Sequence, residues 1–116
     1  MNLSEYLDHS SLRQFVKTVS PGTFLFSQGE LAKSLFVVID GRVALLEERE
    51  DGEHIVAYVE PGEFLGERVI TAERAYPRTL SARAEIETSF IELPLDQLRA
   101  FEHGDPKTMA ILFRHT

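Results

Sequence analysis

The chain has 116 residues and a formal net charge of −7, with 43% hydrophobic and 27% charged side chains. This length and this hydrophobic share predict one globular domain, residues 1–116, with its own core. The excess of acidic residues argues against a nucleic-acid-binding surface, because contacts to phosphates need Lys and Arg. Any anionic ligand must therefore be attracted by a local positive site.

The sequence contains no cysteine, which excludes disulfides, thiolate metal sites and cysteine nucleophiles. Residues 1–5 lack the basic and apolar segments of a signal peptide, so none is predicted. The longest apolar runs, such as 35–39, are far too short to span a bilayer. We therefore expect a cytoplasmic protein that does not contact a membrane.

The residues before the predicted sheet favour short helical segments at 4–7 and 10–16. Leu12, Phe15 and Val16 follow the i, i+3, i+4 spacing of one helical face. We expect this apolar stripe to pack against the sheet.

Turn signals then separate short β-type runs about every ten residues. Pro21-Gly22 and Pro61-Gly62 fit type II turns, while Asp40-Gly41 and Asp51-Gly52 are hairpin signals. The predicted strands lie at 23–26, 35–39, 42–49, 54–59, 79–84 and 88–93. The second of these runs is apolar on both faces, which predicts a buried strand, and the third should be its return strand. This regular series indicates an all-β sandwich or barrel.

The C-terminal region, at about 95–116, predicts two helices. The second helix, at 106–114, carries Met109, Leu112 and Phe113 on one face. We expect this face to pack on the sheet or against a second copy of the chain.

One stretch combines three features that a sugar phosphate needs. Gly66 permits a close backbone approach to a ligand, and 67–71 predicts a short helix whose first N–H groups are unpaired. Arg78 supplies a planar, permanently charged fork for a phosphate, and we expect it to be exposed when the site is empty. Glu67 would repel a phosphate, so we expect it to accept a hydrogen bond from a hydroxyl group.

The stretch resembles the phosphate-binding cassette of the cyclic nucleotide-binding domains. Leu65-Gly66-Glu67 and Pro77-Arg78-Thr79 match its pattern, and the turns at 28–30, 40–42 and 61–63 match the spacing of that family. The resemblance covers residues 12 to 101. It implies a mainly β fold, an eight-stranded jelly-roll-type β-roll at about 17–93, with short flanking N- and C-terminal helices.

The resemblance also implies a site for cAMP or cGMP. Glu67 would bind the ribose 2′-hydroxyl, Arg78 would pair with the exocyclic phosphate oxygens, and the N–H groups of Glu67 and Arg68 would complete the cradle. Thr79 would donate its hydroxyl to the phosphate or to the base, which leaves the base preference open. The implied nucleotide-binding residues are Leu65, Gly66, Glu67, Arg68, Val69, Arg78 and Thr79.

Val69 departs from the family, which prefers Ala, Gly or Ser at that position. A β-branched side chain there either crowds the phosphate or points into the core. The spacing from Glu67 to Arg78 is also slightly longer than usual.

Two functions therefore stay open. One is a cyclic-nucleotide sensor that moves its C-terminal helices and regulates an effector domain or partner protein. The other is a degenerate β-roll that serves as a protein-interaction or homodimerisation module.

Other chemistry finds little support in the sequence. The four histidines form no HxH or HExxH pair, which disfavours a metal-dependent enzyme on a similar β architecture. The charged run at 47–51 is typical of a solvated hairpin tip. We therefore expect no metal site and no catalytic residues, and we leave open whether the chain is part of a longer protein.

Overall fold

The computed structural model describes residues 10–66, 68–72 and 74–97. This part of the chain is mainly β, with eight strands, two one-turn helices, α1 (Ser10–Arg13) and α2 (Arg68–Thr71), and a further helical stretch at 95–97. The strands are β1 (Val16–Val19), β2 (Phe24–Phe26), β3 (Ser34–Asp40), β4 (Val43–Arg49), β5 (Gly52–Val59), β6 (Phe64–Leu65), β7 (Ser81–Ala84) and β8 (Thr88–Pro94).

The strands form two antiparallel four-stranded sheets, in the orders β1-β8-β3-β6 and β2-β7-β4-β5. In both sheets, strands that lie far apart in the sequence pair with each other. β1 pairs with β8, and β2 pairs with β7. This is the topology of a β-roll, so the predicted fold class is confirmed.

Strand β3 carries the core on both of its faces. Leu35, Val37 and Ile39 pack in one cluster, which also contains Leu12 and Val69 from the two helical turns. The alternate residues of the strand, Phe36 and Val38, pack in a second cluster with side chains of the opposite sheet. The prediction of a doubly buried strand at 35–39 is therefore confirmed, and it explains why this run has no polar alternation.

The predicted turns at Pro21-Gly22 and Pro61-Gly62 are both present. Each closes with an i to i+3 hydrogen bond, from Thr23 N to Ser20 O at 3.2 Å and from Glu63 N to Glu60 O at 3.1 Å. The two glycines adopt φ values of 88° and 90°, as position i+2 of a type II turn requires. The hairpin predicted at Asp51-Gly52 is also confirmed, since it joins β4 directly to β5.

The prediction of a second hairpin at Asp40-Gly41 is wrong. Strands β3 and β4, on either side of this turn, belong to different sheets and do not pair. The backbone after the turn bonds instead to the chain near β7 and β8, from Glu85 N to Arg42 O at 2.9 Å and from Arg42 N to Thr88 Oγ1 at 3.2 Å. A tight Asp-Gly turn reverses the chain, but these long-range contacts decide which sheet the next strand joins.

The helix predicted at 10–16 is shorter than expected, because the chain becomes strand β1 at Val16. Val16 pairs with Ile91 and Val19 with Thr88, so pairing with β8 prevails over the local helical spacing. Residues 95–97 are helical, as predicted. The segments 4–7 and 106–114, with Met109, Leu112 and Phe113, lie outside the described residues.

Among the described residues, no helix is both long enough and apolar enough to cross a membrane. The same residues contain no group of three or more His, Asp or Glu side chains that could hold a metal ion.

Candidate functional site

Two loops, at 29–32 and 76–78, are joined by backbone hydrogen bonds, and the second of them forms one side of the site. Arg78 N donates to Glu30 O at 2.7 Å, Arg78 O accepts from Gly29 N at 2.8 Å, and Tyr76 O accepts from Ala32 N at 2.8 Å. These bonds fix residues 76–78 as an extended segment although they precede strand β7. The positions of the Tyr76 and Arg78 side chains are therefore set by a rigid backbone.

This segment, α2 and strands β2, β4 and β6 line an open cavity of about 230 Å³. Its described lining residues are Phe26, Leu45, Leu65, Gly66, Arg68, Tyr76, Arg78, Thr79 and Leu80. The charged members of this described lining are both arginines, in a chain whose net charge is −7. The cavity thus supplies the local positive site that an anionic ligand requires.

Arg78 is buried, with only 6% of its surface exposed, which corrects the expectation of an exposed arginine in the empty site. Its guanidinium carbon lies 4.2 Å from the ring centroid of Phe26 and 5.6 Å from that of Phe36. Its Nη2 donates to the backbone oxygen of Ser34 at 2.8 Å. A planar guanidinium can stack on aromatic rings in this way, which the sequence alone did not indicate.

The buried charge of Arg78 is only partly compensated. Among the described residues, its Nε has no hydrogen-bond partner although it is inaccessible. Burial lowers the pKa of the guanidinium below its ordinary value, while electrostatic interactions with Tyr76, Glu30 and Glu92 act in the opposite direction. A buried cation with an unpaired donor is costly, and an anion placed against the guanidinium would compensate its charge.

Gly66 makes room for the guanidinium. A side chain at this position would collide with Nη1 of Arg78 and would lie 3.3 Å from the backbone oxygen of Ser34. Gly66 also adopts a φ of 76°, which L residues with a side chain rarely do. Glycine is thus required here for two reasons, the backbone conformation and the close approach of Arg78.

The cavity brings together most of the described residues that the sequence assigned to the site. Leu65, Gly66, Arg68, Arg78 and Thr79 all line it. Arg68 and Thr79 are exposed at their positions, whereas Leu65 is buried in β6. Glu67 lies outside the described residues, so its predicted role with the ribose stays a prediction.

Val69 differs from the other described site residues. It is not among the described residues that line the cavity, and it is 2% exposed in the core cluster with Leu12, Leu35 and Val37. Its backbone N–H donates to Gly66 O at 3.1 Å. This location is the second of the two that the sequence left open, in which the side chain packs in the core.

Tyr76, Leu45, Leu80 and Phe26 line the cavity although the sequence analysis did not assign them to the site. Tyr76 stands two residues before Arg78, and its ring lies 4.3 Å from the guanidinium carbon of Arg68. Tyr76 could have been assigned to the site from the sequence, because it is an aromatic residue beside the cassette. Leu45 comes from β4, and only the three-dimensional fold brings it to the cassette.

Two curated proteins show what the chain is similar to. It is 33% identical over 86 residues to a lysophospholipase, nte1, of Neurospora crassa, covering 73% of this chain and 6% of that protein. It is 27% identical over 114 residues to the cAMP-activated global transcriptional regulator Vfr of Pseudomonas aeruginosa, covering 96% of this chain and 51% of the regulator. The chain thus spans about half of the regulator and a small part of the lysophospholipase.

Among solved structures, the fold is similar to that of the c-di-GMP-responsive global regulator CLP of Xanthomonas campestris. The TM-score is 0.70 at 25% identity, over 90% of this chain and 54% of the regulator. The family model of the cyclic nucleotide-binding domain matches residues 16–105, which is most of the chain. With the β-roll and the Gly66–Arg78 cavity in place, this match shows that the chain belongs to the cyclic nucleotide-binding domain family.

Proposed function

We propose that this chain is the sensor domain of a regulatory protein, that it binds cAMP or cGMP in the cavity of about 230 Å³, and that it has no catalytic activity of its own. The observation that carries the proposal is the state of Arg78. A buried guanidinium with an unpaired Nε lines a cavity whose described charged residues are both positive.

The phosphate of a cyclic nucleotide carries one negative charge and accepting oxygens. Hydrogen bonds between a guanidinium and a phosphate are charge-assisted and stronger than neutral ones. A phosphate placed against Arg78 would compensate the buried charge and would accept hydrogen bonds from the guanidinium. This contact requires no new positive residue, because the folded chain already holds Arg78 at the cavity.

The sugar and the base would occupy the rest of the cavity. In this proposal, Thr79 donates its hydroxyl from an exposed position at the lining, and Glu67 accepts from the ribose hydroxyl, as the family resemblance implies. The apolar walls at Leu45, Leu65 and Leu80 would contact the faces of the ring systems. These contacts do not distinguish adenine from guanine, so both nucleotides belong in the test.

Calorimetric titration of the chain with cAMP and cGMP tests this proposal. Saturable binding below the millimolar range supports it, and c-di-GMP belongs in the same series because CLP is described as responsive to that nucleotide. A chain that binds c-di-GMP but neither mononucleotide would correct the proposed ligand. A chain that binds none of the three would overturn the proposed function.

The proposed output is a shift of the C-terminal residues that regulates an effector domain or a partner protein. The whole regulator Vfr is named as cAMP-activated and as a transcriptional regulator, and the chain spans half of it. A ligand shifts such an equilibrium only if it binds one arrangement more tightly than the other. Limited proteolysis of residues 98–116 with and without nucleotide would measure that difference, and an identical cleavage rate in both states would contradict the proposed shift.

A second candidate function, an interaction module without nucleotide, is favoured by strand β5. This strand lies at the edge of its sheet, and Ile55 and Val56 are 47% and 45% exposed on it. Exposed apolar residues on an unpaired sheet edge are typical of a contact surface. Absence of nucleotide binding together with concentration-dependent self-association in light scattering would favour this candidate over the sensor.

A further inference from the structure

Two arginines line the candidate cavity, and the structure gives them different surroundings. Arg78 is 6% exposed and has its Nε unpaired, whereas Arg68 is exposed at the start of α2. The guanidinium of Arg68 lies over the ring of Tyr76, with 4.3 Å between its central carbon and the ring centroid. The buried arginine suits a phosphate, while the exposed one presents a planar group at the outer part of the same lining.

We infer that Arg68, held against Tyr76, is the surface on which the base of the ligand stacks, and that it favours purines over pyrimidines. This inference rests on the proposed function. With the phosphate against Arg78, the sugar and the base extend away from the buried end of the cavity, towards its exposed lining. Arg68 is the charged, planar group of the described lining at that outer part.

The position of Tyr76 makes this surface rigid. Its carbonyl oxygen accepts from Ala32 N at 2.8 Å, and the next residue, Pro77, forms a β-bridge with Leu31. The backbone that carries the ring is therefore anchored beside the cavity, and the ring contacts the guanidinium before any ligand arrives. A group that is already ordered loses little conformational entropy when it binds.

Stacking explains why an arginine suits this place better than a lysine would. Guanidinium planes and aromatic side chains are the groups on which proteins stack nucleobases. A lysine ammonium has the same charge but no flat face. The larger double ring of a purine overlaps such a face more than a pyrimidine does, so stacking at this point would generate a preference for purines.

The test compares four cyclic nucleotides, cAMP, cGMP, cCMP and cUMP, on the parent chain and on Arg68→Lys, which keeps the charge but loses the plane. We expect the parent to prefer the two purines. Arg68→Lys should weaken binding of cAMP and cGMP about tenfold or more and change cCMP and cUMP much less, since base stacking contributes on the order of a tenfold to hundredfold change in affinity. Tyr76→Ala, which removes the ring that Arg68 contacts, should act in the same direction.

Arg42→Lys is the matched control. Arg42 is also an exposed arginine over a tyrosine ring, 3.9 Å from the centroid of Tyr58, but it is not among the residues that line the cavity. This variant should leave all four affinities unchanged.

Two results would overturn the inference. If Arg68→Lys weakens all four nucleotides by the same factor, or changes none of them, Arg68 does not stack on the base. If the parent binds cyclic purine and pyrimidine nucleotides equally well, the proposed function stands and the purine surface is refuted. Failure of the parent to bind any of the four would instead overturn the proposed function, and the inference with it.

Discussion

The guanidinium of Arg78 occupies the space that a side chain at position 66 would need. A Cβ built on Gly66 collides with Nη1 of Arg78, and Gly66 has a φ of 76°. The two residues lie on different segments, one directly after β6 and the other before β7. Their contact joins the two halves of the cassette, so Arg78 keeps this place only while position 66 carries no side chain.

The first prediction concerns the cost of the buried charge. Arg78→Leu replaces a partly compensated cation by an apolar side chain, next to the rings of Phe26 and Phe36. Replacing a buried charge by a well-packed apolar group is often neutral or stabilising, by about 1–4 kcal/mol. We therefore expect the free energy of unfolding of the empty protein to stay constant or to rise, as measured by urea denaturation.

Arg83→Leu is the control for this variant, because Arg83 is partly exposed and paired with Glu53 at 3.1 Å. Its substitution should change stability by about 1 kcal/mol or less. If the free energy of unfolding of Arg78→Leu is several kcal/mol lower than that of the parent, the guanidinium stabilises the fold. The presence of an arginine at this position would then be explained by stability, without a ligand.

The second prediction compares two glycines with similar backbone conformations. Gly62 has a φ of 90°, and a Cβ added there would have no heavy atom within 4 Å outside its chain neighbours. A Cβ added at Gly66 would collide with Arg78. Alanine at either position should cost about 1–2 kcal/mol of stability from the left-handed backbone. Gly66→Ala should in addition displace the guanidinium and weaken nucleotide binding about tenfold or more, because the phosphate contact is misplaced.

Thermal unfolding and calorimetric titration of Gly66→Ala and Gly62→Ala separate the two effects. Equal nucleotide affinities in both variants would show that Gly66 serves the backbone alone.

The third prediction concerns Val69, which is buried with Leu35 and Val37. Val69→Ala removes two methyl groups from this cluster and should lower the free energy of unfolding by about 2 kcal/mol, from lost burial and a small cavity. Because the side chain packs in the core, nucleotide affinity should stay constant. Tighter binding by Val69→Ala without lost stability would show instead that the valine crowds the phosphate.

The fold could be predicted from the sequence where local and long-range signals agree. The run at 35–39 is apolar on every residue, and it becomes the strand that the core surrounds. The Asp40-Gly41 turn shows the limit of such local signals, since the same dipeptide fits a hairpin and a corner between two sheets. The contacts of Arg42 with Glu85 and Thr88 decide between them, and these residues are more than forty positions away.

The site was predicted at the level of residue types but not of their surroundings. Gly66, Arg78 and Thr79, which the cassette pattern assigns to one site, line the same cavity. The burial of Arg78 depends on two rings, Phe26 and Phe36, from different strands and different sheets, which no local pattern places together. The role that we propose for Tyr76 likewise depends on a contact of its ring with Arg68.

The fourth prediction concerns the C-terminal segment, whose sequence places Met109, Leu112 and Phe113 on one helical face. Leu112→Asp introduces a charge on that face. We expect it either to lower thermal stability, if the face packs on the roll, or to convert a dimer to a monomer in light scattering, if it packs on a second copy. A monomeric parent whose variant is equally stable would contradict both expectations.

The most direct test of the account is the affinity of Arg78→Leu for cyclic nucleotides, measured by calorimetry beside the parent and Arg83→Leu. A charge-assisted hydrogen bond contributes about 1.5–3 kcal/mol, so Arg78→Leu should bind cAMP and cGMP more weakly by about tenfold to a hundredfold or more, while remaining folded. Arg83→Leu should bind as the parent does. If folded Arg78→Leu binds both nucleotides as tightly as the parent, then Arg78 does not hold the phosphate and the central claim is wrong.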